Sequence, residues 1–306
     1  MSYLQKISYL SILLLAACFP KEDAVEPTPR INKSVMLDAG EYKNTVAFYS
    51  LDKAEVVAEA SPMDWDFYID EEVIRLNYFR SMQVAKFDQS WDKLEDTVGL
   101  DFRNLTYDSY ESMSQWELAE DQIYVVDYGL DNEFNPIGLT SVRFERTTTG
   151  IKIWQNAIGS DYETFEEVNE ASFYYNIREK STLDLPKETE YDVAFGKYTD
   201  LVTIDNITQD YLIYGAIQGK ALAYYENEPF DSVKTEQFNA IRLMNNKDVL
   251  GWDWKNYNRP KDAYEIVDNR TYLIMSNAGF KYKLRFVSFY NTAGQSGHPT
   301  FEWKLL

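Results

Sequence analysis

Apolar and polar residues alternate at every second position in several short segments, the period of a strand with one face in a core and the other in solvent. In "KYKLRF", Lys281, Lys283 and Arg285 share one face while Tyr282, Leu284 and Phe286 share the other. In "VRFERTTTGIKIW", Val142 and Phe144 point inward, a threonine-rich turn ends at Gly150, and Ile151 and Ile153 point inward again, which predicts a hairpin. "YLIYGAIQGKALAYYE" reads as a second hairpin turning near Gly219, with Gly215, Ala216, Ala221 and Ala223 small enough for two backbones to approach closely. Helical spacing is rarer: "EQFNAIRLMN" sets Phe238 and Ile241 on one face, and "SWDKLEDTVGL" closes near Gly99. The pattern predicts a mainly β protein, antiparallel, with a few short helices.

The pattern also repeats. Phe48 aligns with Tyr174, Tyr49 with Tyr175, Trp65 with Tyr191 and Asp66 with Asp192, each pair 126 positions apart. Further on, "IYVV" at 123–126 matches "YLIM" at 272–275, and "VRF" at 142–144 matches "LRF" at 284–286, at offsets of 148 and 142. Two related β-rich units follow, 35–158 and 159–306, the second longer inside. Trp65-Asp66 and Trp252-Asp253-Trp254 read as structural, with the aromatics anchoring strand edges and the aspartates satisfying turns.

Composition sharpens this picture. The 306 residues include 24 Tyr, 17 Phe and 7 Trp, and such side chains favour a pleated, half-buried surface. A formal charge of −20 repels polyanions, so nucleic acid is excluded as a partner. The single cysteine, Cys18, ends "LLLAAC" after a short apolar run that begins behind Lys6. That run is too short to span a bilayer and fits a secretory signal over residues 1–17. Leu15, Ala16 and Ala17 supply the box that a lipoprotein signal peptidase requires, which makes Cys18 the acylated first residue of the mature chain. Residues 18–34, rich in proline and charge, read as a flexible tether, and the membrane is met through the lipid alone. Lys21, Glu22 and Asp23 directly after the lipid cysteine resemble an export signal of Bacteroidetes surface lipoproteins. The expected location is the outer membrane, at the cell surface.

"EYDVAFGKYT", "GWDWKNYN" and "RTYLIMSNAGFKYKLRFVSFYNTAGQSGHPTFEWKLL" follow one another as do the blocks of the HmuY-like lipoproteins of Bacteroidetes, and the chain resembles that family. "MDWDFYI" and "IYVVDYG" extend the resemblance into the first unit, as in a tandem member. The resemblance implies a non-enzymatic protein that captures haem or a related porphyrin for iron acquisition and hands it to an outer-membrane transporter. The competing expectation is a surface β module that binds glycan or a partner protein and has lost haem.

The founding members of that family ligate haem iron with two histidines, and this chain has one, His298. The positions where the resemblance expects histidine hold Asp70 and Gly196. His298, between Gly297 and Pro299, reads as a solvated turn residue. Thioether ligation is the next known chemistry, and Met82 and Met113, in polar surroundings, are the candidate ligands, while Met244 and Met275 read as core; a tyrosinate is open too, with nothing to select one of the 24 tyrosines. Lys281, Lys283 and Arg285 are candidate donors to the propionates. No nucleophile motif, Cys/His zinc set or phosphate loop is present. The 50 acidic residues leave a carboxylate pair for glycoside hydrolysis open, with no motif that selects one. "DYGLDNEFN" misses the spacing of a calcium loop and reads as a solvated Asx turn.

Overall fold

A computed structural model describes residues 32–40, 43–104, 117–133, 135–160, 162–204 and 206–306. The signal segment, Cys18, Lys21–Asp23 and Met113 lie outside the described residues. Strands β1 (Asn32–Met36), β2 (Val46–Ser50), β3 (Glu55–Ala60), β4 (Phe67–Ile69) and β5 (Ile74–Leu76) open the chain. They are followed by β6 (Gln83–Phe87), β7 (Arg103–Asn104), β8 (Ile123–Asp127), β9 (Leu139–Arg146) and β10 (Ile151–Asn156). The second half begins with β11 (Thr164–Val168), β12 (Phe173–Asn176), β13 (Ser181–Leu183), β14 (Val193–Ile204) and β15 (Ile207–Gln218). It ends with β16 (Leu222–Glu226), β17 (Lys255–Asn258), β18 (Ala263–Ile266), β19 (Thr271–Met275), β20 (Lys281–Tyr290) and β21 (Ser296–Leu305).

The fold is antiparallel β, as the alternation predicts, and its sheets run in the orders β11-β10-β9-β8-β6-β7, β13-β12-β4-β5, β15-β14-β2-β3, β1-β21-β20-β19-β16 and β17-β18. Each half lends its opening strands to the other. β1 adds to β21 and β2 to β14, whereas β11 adds to β10 and β12 to β4. The registers match at the offset read from the sequence: Tyr49 faces Val193 as Tyr175 faces Phe67, and Ala47 faces Phe195 as Phe173 faces Ile69. Residues 31–306 therefore form one compact body.

The paired aspartates lock this exchange. Asp66 N–H donates to Tyr175 O and Asp192 N–H to Tyr49 O, both at 2.9 Å. In return, the Asp66 carboxylate accepts from Ile177 N at 2.9 Å and the Asp192 carboxylate from Leu51 N at 2.7 Å. Both carboxylates are buried, so each bond satisfies groups that would otherwise be costly.

Because β2 and β12 are buried on both faces, the four-stranded sheets sit between two outer layers. Ala47, Tyr49 and Phe195 face the sheet of β19–β21, and Phe67, Ile69 and Tyr175 face the sheet of β8–β10. Phe48, Trp65, Tyr174 and Tyr191 fill a third core between the central sheets, with the Phe48 and Tyr191 rings 4.9 Å apart and edge-on.

Three local expectations change. β15 and β16 do not form a hairpin, because Gln218 ends a strand of one sheet and Leu222 begins a strand of another. The small residues serve a different approach: Ala216 exchanges backbone hydrogen bonds with Gly251, and a Cβ at Gly215 would lie 2.6 Å from Gly251 O. The two expected helices shrink to 3-10 turns at Trp91–Lys93, Thr235–Gln237 and Ala240–Arg242. β1 begins at Asn32, so the last residues assigned to the tether are strand.

Candidate functional site

The halves differ most where β4 and β14 end. In the first half Ile69 pairs with Ile74 and a four-residue turn, 70–73, closes the hairpin. Asp70 caps that turn, its carboxylate accepting from Glu72 N at 2.8 Å and Val73 N at 2.9 Å. In the second half the corresponding pair, Phe195 and Ala216, is followed by nine further pairs out to Ile204 and Ile207. This extension accounts for the growth of the sequence offset from 126 to 142. Gly196 sits at its base, where a Cβ would lie 2.8 Å from the Phe79 ring.

The projecting hairpin and β17–β18 enclose a cleft of about 600 Å³ lined by Tyr211, Ile213, Trp252, Tyr257, Arg259 and Tyr264. Its size falls in the range of small-molecule sites. Local structure positions each wall. Trp252 Nε1 donates to Asp200 Oδ2 at 2.7 Å, fixing the indole against the hairpin. Tyr257 and Tyr264 face one another across β17–β18 with ring centroids 5.3 Å apart. The turn between them, Arg259–Lys261, ends at Asp262 in the left-handed region with φ 50°, and the Tyr257 hydroxyl donates a hydrogen bond to the Asp262 carboxylate. That hydrogen bond raises the Tyr257 pKa.

Lys255 forms the floor. Its ammonium donates to Tyr214 O at 2.5 Å and Trp252 O at 3.3 Å and lies 4.5, 5.1 and 5.6 Å from the ring centroids of Trp254, Phe289 and Tyr264. Burial lowers its pKa to about 7, against the pull of Asp253.

The candidate ligands read from the sequence lie elsewhere. Met82 is 2 % exposed within the core under β8–β10, a correction to the exposed thioether its polar neighbours predict. Met244 is instead 40 % exposed, and Met275 is half-buried rather than core. His298 is not in a solvated turn: it belongs to β21, with Nδ1 3.6 Å from Asp38 Oδ1. Lys283 is buried, and its ammonium donates to Phe230 O at 2.6 Å and Val233 O at 2.8 Å. Arg285 pairs with Glu302 through Nε at 3.0 Å and a terminal nitrogen at 2.7 Å. Neither is available to a propionate.

In "DYGLDNEFN", the Asp131 carboxylate accepts from Glu133 N and Asn135 N at 2.8 and 2.9 Å, an Asx turn. Tyr211 and Ile213 of the cleft fall in "YLIYGAIQ" and Trp252 and Tyr257 in "GWDWKNYN", segments whose pattern signals strands and turns and carries no mark of a binding role.

The model of the HmuY protein family matches residues 41–303, so a single match spans both halves. The chain belongs to the HmuY family. Similar solved structures include the apo HmuY analogue TFO of Tannerella forsythia, 11 % identical, covering 92 % of this chain and 98 % of that one, with a TM-score of 0.39. Apo PinO of Porphyromonas gingivitis is 9 % identical, covers 91 % and 98 %, and scores 0.38. A Bacteroides vulgatus protein with the provisional designation HmuY-like heme-binding protein is 10 % identical, covers 89 % and 90 %, and scores 0.24. These scores are below 0.5, and membership rests on the family model. No curated protein matches the chain. Among the described residues no helix is long and apolar enough to cross a membrane.

Proposed function

We propose that the protein is a non-enzymatic lipoprotein of the outer membrane, anchored at Cys18, that binds haem or a related porphyrin in the cleft between the projecting hairpin and β17–β18. The observation that carries the reading is the cleft itself. Flat aromatic side chains line a volume of ligand size at the place where one half has grown a hairpin the other half lacks. Family membership supports the ligand class.

A porphyrin fits this site by its plane more than by its metal. Trp252, Tyr257 and Tyr264 offer stacking faces to the macrocycle. The lining holds no imidazole or thioether, and the hydrogen bond to Asp262 works against a tyrosinate at Tyr257. The expected result is that haemin and metal-free protoporphyrin IX bind with similar affinity. Titrating purified protein with each, by tryptophan quenching and the Soret band, tests this. Trp252→Ala should weaken both about tenfold, in line with one lost aromatic contact. Free-ligand spectra and unquenched fluorescence with both compounds would remove the reading. A glycan remains the second ligand class, favoured by the same rings and the missing imidazole; a positive glycan array with blank porphyrin titrations would select it.

A further inference from the structure

The two halves also differ beneath the aspartate locks. In the first half, Asp66 is neutralised by Arg80 at 2.8 Å, and Arg178 adds a second guanidinium 3.8 Å away. Arg178 donates to Met63 O at 3.1 Å and lies 5.9 Å from the centroid of the Tyr128 ring. At the 126-residue offset, Asp66, Arg178 and Met63 correspond to Asp192, Asp52 and Thr189. Tyr124 and Tyr272 hold matching places in β8 and β19, which makes Ser276 the counterpart of Tyr128.

The second half thus has the buried carboxylate without its guanidinium or its ring. Asp192 is 1 % exposed and accepts from the backbone N–H groups of Leu51 and Asn277, with no cation paired to it among the described residues. Burial raises its pKa. Above Asp192 opens a cavity of about 810 Å³, lined by Asp52, Thr189, Glu190, Ser276 and Met275 among others, and by Asn277, whose N–H separates the Asp192 carboxylate from it. Lys53 and Lys220 also reach it, and the Lys220 ammonium is held by Glu72 at 2.8 Å. Phe280, 47 % exposed, directly follows the lining residue Gly279.

We propose that this cavity receives an arginine side chain from a partner polypeptide, which takes the place that Arg178 occupies in the other half. The first half shows the recognition chemistry: a guanidinium beside a buried aspartate, donating to the carbonyl of the residue three before it. In the second half Asp52, whose carboxylate accepts from the Tyr282 hydroxyl at 2.8 Å, puts a negative charge where Arg178 stood. With Glu190 it sets two carboxylates in the lining against the ammonium of Lys53, Lys220 being held by Glu72, which favours an incoming cation. Exposed Phe280 supplies the apolar contact that a protein partner covers and a free cation does not.

The test titrates ¹⁵N-labelled protein with N-acetyl-arginine amide, N-acetyl-citrulline amide and free arginine, following the Asn277 and Gly279 amides. Saturable shifts with the capped arginine, at least tenfold weaker with the neutral citrulline isostere, are expected. Asp52→Arg with Ser276→Tyr rebuilds the first-half arrangement; it should abolish the shifts while keeping or raising the melting temperature. Asp52→Asn should weaken binding several-fold, which keeps the test sound if the double variant misfolds. Equal binding of citrulline, no saturable shift, or undiminished binding in the folded double variant overturns the proposal. Free arginine binding more tightly than the capped form overturns the partner in favour of a small-molecule site. Porphyrin titrations of these variants should be unchanged, since no cleft residue is altered.

Discussion

Replacing Glu188 with glutamine should destabilise the protein by about 3 kcal/mol at neutral pH. Glu188 is 1 % exposed and bonds to Arg75 of β5 and to the Lys247 ammonium at 2.7 Å, while Arg75 also reaches Glu117 at 2.9 Å. Burial alone would raise the Glu188 pKa, but Lys247 and Arg75 override it and bring it down from 4.5 to about 2. That depression corresponds to about 3 kcal/mol, similar to the ~3–5 kcal/mol lost when one partner of a buried ion pair is removed. Because the folded pKa is the lower one, this stability is fully present above pH 4.5 and is lost as pH falls towards 2. Urea unfolding of wild type and Glu188→Gln at pH 7 and pH 3 reads both effects: the gap should be wide at pH 7 and narrower at pH 3. Adding Lys247→Met should recover part of the loss by removing the stranded ammonium. A gap below about 1 kcal/mol at pH 7, or one independent of pH, would refute the claim that the ionised carboxylate holds this cluster together.

Further outcomes are expected elsewhere. Gly215→Ala should cost about 1–3 kcal/mol in urea unfolding, because its Cβ meets the Gly251 carbonyl and the Tyr198 ring; an unchanged midpoint would contradict that approach. Cys18→Ala should move the protein from the membrane to the soluble fraction, and retention through a high-salt wash would show another attachment.

Much of the fold was legible because burial leaves a local trace. Alternation in "KYKLRF" and in "VRFERTTTGIKIW" marked β20 and the β9–β10 hairpin, whose Val142, Phe144, Ile151 and Ile153 are all buried. The 126-residue offset picked out Asp66 and Asp192, which hold equivalent places. Alternation tells which face of a strand is covered and nothing of which strand lies beside it, so the exchange of β1, β2, β11 and β12 had no signal. The same limit misplaced Lys283: as a lysine on the polar face of β20 it reads as solvated, yet two carbonyls of the 230–233 segment cover it. His298 was misread because Gly297 and Pro299 signal a turn, although the chain there is β21. The cleft was hidden for another reason. Tyr211, Trp252 and Tyr264 come from separate segments and fit no spacing rule, so only the third dimension brings them together.

The exchanged strands have a consequence for how the chain can be divided. A half-length chain would carry opening strands with no sheet to join, and a sheet whose edge lacks the strands it was built to receive. Two such halves could satisfy one another, but only at the concentration at which they meet. The link between β10 and β11 turns that encounter into an intramolecular one, with an effective concentration that short connections place in the millimolar range. What the continuous chain gains is therefore less a new contact than independence from dilution: the pairing survives where a released, scattered protein would lose its partner.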